Sequence, residues 1–252
     1  MVLAVVIAIV IIGAIVYGIL SKRHRQQAMA ALAAQKGWTA LSNDDATLSS
    51  YLPTYIRMLG QQNFGMSNFS RTTSAYDMAY QANISGHSAV LFQYQYTEYS
   101  QNIDPQQPAQ STVCYFTVLS LAMPVAEPTI MLLHHNFLSK LNNFGLHQNL
   151  EKINLEGDFN QYYDTYIAPN SQVEALSLLT PDVMELVTAL AGSQTHASLQ
   201  ISGPSLIISF ENQLLTPEFI EPLLAQLTAL LAKLDTKPRA VLQPNNTPTA
   251  PV

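Results

Sequence analysis

The start of this chain constrains it most. The stretch "VLAVVIAIVIIGAIVYGIL", from Val2 to Leu20, carries no charge. At a helical rise of 1.5 Å per residue it reaches about 28 Å, the thickness of a bilayer's hydrocarbon core. A cleaved signal peptide places basic residues before a shorter apolar run. Here nothing basic precedes the run except the terminal amine, and the cluster "SKRHR" follows it. Residues 1–20 therefore read as an uncleaved transmembrane anchor. Positive charge stays on the cytoplasmic side of a membrane. The expected arrangement is a single-pass protein of the inner, or cytoplasmic, membrane, with its N-terminus outside and the rest in the cytoplasm. Lys22, Arg23 and Arg25 are the expected membrane-interface residues.

The next residues, "SKRHRQQAMAALAAQKG", favour helix, and Gly37 suits its end. This gives a basic juxtamembrane stalk over 21–36 and a soluble domain over 37–235. The last stretch, 236–252, holds four prolines and little to bury, so a disordered tail is expected there.

Beyond the basic cluster, eight cations face seventeen acids, a net of −9 with His neutral. A domain that acidic lacks the electrostatic footprint of a nucleic-acid binder. The single Cys114 has no internal disulfide partner, and in "VCYFTV" it reads as a buried thiol.

Alternation at period two marks strands. In "YDMAYQANI" the residues Tyr76, Met78, Tyr80, Ala82 and Ile84 share a parity. In "VLFQYQYTEY" Val90, Phe92, Tyr94 and Tyr96 face one way, and Gln93, Gln95 and Thr97 the other. "SGHS" joins the two as a hairpin. "TVCYFTVLSLAM" reads as a central strand, and "TIMLLHH", after Pro128, as another. "NFLSKLNNFG" reads as a short helix and "FNQYYDTYIA" as a strand. "SQVEALSL" and "TPDVMELVTALAG" are helical, "ASLQISGPSLIISFE" reads as a hairpin about Gly203 and Pro204, and "TPEFIEPLLAQLTALLAKL" is a long helix. Sequential strands with late helices predict an α+β fold with a mainly antiparallel sheet. A seven-stranded sheet closed by a C-terminal helix, as in a pleckstrin-homology barrel, is the fold-level analogy.

"LLTP" occurs at Leu178 and again at Leu214. In each copy Thr suits the N-cap, Pro the first helical position and the following acid the positive helix end. Shared capping chemistry explains the two copies without a repeat.

From Ile153 the order "INLEGDFNQYYDTYIAPNSQVEALSLLTPDVMELV", then "ASLQISGPSLIISFE", resembles a family of uncharacterised bacterial membrane-associated proteins, a domain of unknown function. The resemblance spans residues 153–211. It rests on an acidic turn, an aromatic strand, the "LLTP" helix start and the strands that follow, and it implies no catalytic residues.

Candidate chemistry is sparse. The adjacent His134 and His135 point to opposite faces of a strand and cannot share a metal. His87, His147 and His196 fall near turns and loops. Glu156 and Asp158 flank Gly157, but two carboxylates are too few for a cation site. No catalytic, cofactor-binding or metal-ligating residue is assigned, and no cofactor is expected. The tyrosines Tyr80, Tyr94, Tyr96, Tyr162 and Tyr166 have two readings, as cross-strand packing or as an exposed binding surface.

The expectation is a membrane-tethered cytoplasmic interaction module without catalysis, with the membrane and an unknown protein as partners. A lipid or small-ligand binding domain held at the membrane, and an enzyme of unrecognised type, are the alternatives. The first needs a cavity lined by the tyrosines. The second needs two or more of His87, His134, His147, Glu156 and Asp158 to converge in one cleft.

Overall fold

The structure, a computed structural model, describes residues 2–61, 69–100, 110–135, 150–191 and 196–236. The predicted helix over "NFLSKLNNFG", His147 and nearly all of the Pro-rich tail lie outside the described residues.

Helix α1 runs unbroken from Val2 to Lys36, so the apolar stretch and the stalk are one element. The chain leaves it at Gly37 and enters the edge strand β1, Thr39–Leu41. Among the described residues no helix is long and apolar enough to cross a membrane. The transmembrane reading of residues 1–20 therefore rests on the sequence alone. Within the apolar run, Ile7, Val10, Ile12, Ile15, Val16, Ile19 and Leu20 are all exposed.

After β1 come α2 (Asp45–Leu48), a 3-10 turn (Ser49–Tyr51) and α3 (Thr54–Gln61). Then come β2 (Phe69–Ile84), β3 (His87–Ser100) and the 25-residue β4 (Gln110–His134). The chain continues through β5 (Glu151–Ile153), β6 (Tyr163–Ile167), α4 (Gln172–Leu178) and α5 (Pro181–Ala191). It ends with β7 (His196–Glu211) and α6 (Pro217–Asp235).

The seven strands form one sheet in the order β1-β2-β3-β4-β6-β5, with β7 also on β4, and every pairing is antiparallel. The fold is α+β with late helices, as expected. Among the described residues the sheet is open, with β1, β5 and β7 each paired on one side only, and not a closed barrel. The β2–β3 turn places Ser85 and Gly86 both at positive φ, the two-residue geometry whose twist matches paired strands.

Three sequence expectations are corrected. "TVCYFTVLSLAM" and "TIMLLHH" belong to the single strand β4, and "ASLQISGPSLIISFE" is the single strand β7, not a hairpin. β7 pairs along β4 on both sides of Gly203, from Phe116–Glu211 to Leu132–Leu199. Pro124 and Pro128 sit where that register shifts, and Gly203, at φ +54, faces the same irregular stretch. A proline lacks the N–H that a ladder uses, so it is tolerated at such a bulge. These turn-forming residues bend two strands together without ending either. Third, "FNQYYDTYIA" opens with a 3-10 turn, Gly157–Gln161, and only then becomes β6.

The "LLTP" copies also differ. The Thr216 hydroxyl accepts from the Phe219 amide at 3.3 Å, a side-chain N-cap on α6. The backbone carbonyls of both threonines accept from the fourth residue on, Thr180 from Met184 and Thr216 from Ile220, so the side-chain cap is what sets Thr216 apart.

Each face of the sheet carries a core. On one, α1, α4, α5 and α6 bury Met29, Leu32, Val183, Val187, Leu223, Leu227 and Leu230 against Leu91, Leu119, Leu132 and Ile208. On the other, α2, the 3-10 turn and α3 bring Leu48, Leu52, Tyr55 and Ile56 onto Phe92, Tyr94, Tyr96, Phe116 and Val118. β1 is where the chain crosses between faces, since Trp38 packs on the first core and Leu41 on the second.

Candidate functional site

Two places combine polar groups with an unusual setting. The first is the junction of α1 with the sheet. Lys22, Arg25 and Gln26 are three and four residues apart, so they share one helix face. All three reach Asp77 of β2: Lys22 Nζ at 3.2 Å, Arg25 Nη2 at 3.6 Å, and Gln26 donating its amide at 3.0 Å. Asp77 is buried, at 8% exposure. It sits at a register shift between Asp77 and Tyr80, with Met78 at φ +51. A bulge sets two successive residues on one side of a strand. It turns Asp77 towards α1 beside Met78, which lies in the α1 core. It also breaks the parity read from the sequence: Tyr80, Ala82 and Ile84 face the α1 core, whereas Tyr76 packs in the other. Thus Lys22 and Arg25, expected at a membrane interface, hold the domain to its own helix. Arg23 is exposed.

The second place is a cleft of about 200 Å³ on the opposite face, beneath the 3-10 turn. Tyr51 and Leu41 form its wall. Its floor is a patch of four strands: Gln81 of β2, Ser88 and Val90 of β3, Ser120 of β4 and Ser205 of β7. Register explains the convergence. Gln81 pairs with Val90 and Val90 with Ser120, while two residues along β4 Ala122 pairs with Ser205. Among the described residues, no charged side chain lines the cleft. Among the described residues, the side chains of Tyr51, Gln81, Ser88, Ser120 and Ser205 make no hydrogen bond to the protein. Ser120 is nonetheless buried, at 6% exposure.

The tyrosines resolve mainly as packing. Tyr80, Tyr94, Tyr96 and Tyr166 are all buried, and only Tyr162 is exposed. Four buried rings are not an exposed surface, and none of the five lines the cleft. Tyr94 lies 5.3 Å from Tyr76 and 6.5 Å from Phe116 by ring centroids, and Tyr96 stacks on Phe116 at 5.9 Å. Tyr80 lies across the sheet in the α1 core, where burial and then the Asp77 carboxylate push its phenol up.

The histidines disperse. His134 is buried, with its ring 4.7 Å from His196 and edge-on to Tyr163 at 5.6 Å. Its pKa is pushed down to about 4, first by burial and then by the His196 and His135 charges. His135 is exposed, on the far side of the strand, and bonds Asp164 at 3.1 Å. His87, read as lying near a turn, is buried at the start of β3. It bridges the Ala122 carbonyl at 3.0 Å and Asp235, the last residue of α6, at 2.9 Å. Glu156 and Asp158 are exposed beside the 3-10 turn that leads to β6. Among the described residues, no three His, Cys, Asp or Glu side chains gather as a metal site would require.

Sequence reasoning missed the cleft. Its floor comes from four strands, and no short stretch holds more than three of its residues. The junction left a signal: Asp77 is the one acid within the predicted strand "YDMAYQANI", and a buried acid needs partners.

No known protein family matches this sequence, and no curated protein does. Among solved structures, the chain is similar in fold to the crystal structure of the mycobacterial trehalose monomycolate transport factor A, TtfA. The likeness has a TM-score of 0.50 at 11% identity, covering 86% of this chain and 99% of that one. At that identity it concerns the fold alone.

Proposed function

We propose that the chain is a membrane-tethered interaction module, anchored by residues 1–20 with its domain in the cytoplasm, working by binding and not by catalysis. The observation that carries this reading is the continuity of α1. One helix holds the uncharged run Val2–Leu20 and, two turns further on, buries Met29, Leu32 and Ala33 in the domain core. The Asp77 clamp lies between the two. A domain joined this way is held in a fixed attitude to its anchor, which suits a platform for a protein partner at the membrane. The basic residues that follow the apolar run support the cytoplasmic orientation. The structure of similar fold is named a transport factor, which accords with a role exercised through other molecules.

Fusions test this reading. Green fluorescent protein placed after Val252 is expected to fluoresce, and alkaline phosphatase placed there to be inactive. An active phosphatase with a dark fluorescent fusion would overturn the orientation and with it the cytoplasmic role. The alternative of a small-ligand binding domain has one observation in its favour, the neutral cleft beneath the 3-10 turn.

A further inference from the structure

We infer that this cleft is a binding site for a small, neutral, polyhydroxylated ligand the size of a single sugar ring. Three observations carry it. The first is unspent hydrogen-bonding capacity. Ser120, Ser88, Ser205, Gln81 and Tyr51 converge, and among the described residues none of their side chains bonds to the protein. Gln81 and Ser88 are exposed and Tyr51 and Ser205 half-buried, so these groups meet solvent in the cleft, whereas Ser120 is buried, where a face serving only as core pairs its hydroxyls. On this same face the buried Tyr55 hydroxyl and Gln200 amide are both paired, with Ser209 at 2.7 Å and Thr54 at 2.8 Å.

The second observation is neutrality. With no charged side chain in the lining among the described residues, an ionised ligand would be desolvated without a counter-charge. Hydroxyls and an amide each offer both donor and acceptor, as a polyol does. The Val90 and Leu41 side chains and the Tyr51 ring supply apolar surface for the C–H face of a ring. The third is size. About 200 Å³ is smaller than the roughly 300–1,000 Å³ of drug-sized sites and holds about seven waters' share of liquid volume.

The position of the cleft selects the source of the ligand. Between Leu20 and Lys36, α1 rises about 24 Å. β1, which carries Leu41 of the cleft wall, follows its far end. On the tether reading, with α1 along the membrane normal, that rise sets β1 off the bilayer surface, which favours a free sugar over a lipid headgroup. The ligand chemistry does not depend on that reading.

The test uses the full chain in phosphatidylcholine nanodiscs, titrated with D-glucose and followed by saturation-transfer NMR. Saturable binding is expected in the millimolar range. Ser120→Val, which keeps a strand-favouring side chain, is expected to weaken it at least tenfold, and Ser205→Ala several-fold. D-Glucuronate is expected to bind at least tenfold more weakly than D-glucose. An unchanged unfolding midpoint by Trp38 fluorescence establishes that each variant is folded. Absence of saturable binding for both D-glucose and myo-inositol, or affinity unchanged in both folded variants, would overturn the site. Discs carrying a glucosyl lipid should not displace the free sugar. If they do, the sugar chemistry stands and the free source is overturned. A reversed fusion topology would leave the titration unchanged, so the two proposals fail separately.

Discussion

The two faces of the sheet bury residues by different means. The α1 face is covered by long helices that contribute aliphatic side chains in regular stripes. In α6 these are Ile220, Leu223, Leu227, Leu230, Leu231 and Leu234. The other face is covered by short elements, and its core is largely aromatic. There polar groups are buried within the packing. Tyr55, wholly buried, bonds Ser209 at 2.7 Å and the Ser198 carbonyl at 3.3 Å, and the Gln200 side chain accepts from the Thr54 amide. Long amphipathic helices cover a sheet mainly by apolar area, and here polar ties are added where α1 meets Asp77 and where α6 ends at His87. Short ones bring less apolar surface and rely on specific bonds to fix their place. The difference shows where a binding function has room. Beyond the reach of the paired groups, the short cover leaves four strands' side chains facing a cleft.

The strongest way to break this comparison is to remove area from the first face. Leu227 is wholly buried in the α1 core. Leu227→Ala is expected to destabilise the domain by about 2–5 kcal/mol, through lost transfer energy and the cavity left behind. Urea unfolding read at the single Trp38, which packs on that core, measures it. A loss well under this range would mean that α6 is not the structural cover described here.

The second face makes a sharper contrast, between two tyrosines in the same short cover. Tyr55→Phe removes a hydroxyl with two buried partners and is expected to cost about 1–3 kcal/mol. Tyr51→Phe removes one that bonds nothing among the described residues, and is expected to stay within about 0.5 kcal/mol. Equal costs would erase the distinction between paired core and open cleft.

The sequence announces what is local and periodic. The alternation of Val90, Phe92, Tyr94 and Tyr96 places all four on one face, in one core. The stripe of α6 is buried as its spacing requires. The Thr216 cap is visible in "LLTP". What the sequence hides is what two distant strands decide together. Gly203, Pro124 and Pro128 look like chain reversals when each strand is read alone, yet they mark one shared bend. The bulge at Met78 shifts the parity of β2 at a residue with no preference for positive φ. The cleft floor follows from four-strand register, which no window of sequence contains. The tyrosines illustrate the remaining ambiguity: alternation tells which face a ring takes, and only the far layer decides whether that face is covered.

The smallest expected effect at neutral pH tests the edge of the α1 face, where it ends in a titratable group. His134 is buried, and its pKa is pushed down to about 4 by burial first and then by the His196 and His135 charges. In the unfolded chain a histidine titrates near its ordinary value of about 6.5. Above about pH 7 both states are neutral at this site, and it adds no pH dependence. Between about 6.5 and 4 the unfolded chain binds the proton more readily, so stability falls as pH falls. The slope from one such group is below about 1.4 kcal/mol per pH unit, the limit for a single proton. His134→Gln removes the titration and keeps a polar side chain of similar reach. The stability difference between the two proteins, followed from pH 7.5 to 4.5, should be constant near neutrality and shift in favour of the variant as acid is added. If His134→Gln and the parent keep the same difference across the whole range, His134 is not held neutral, and the α1 face admits water at its end.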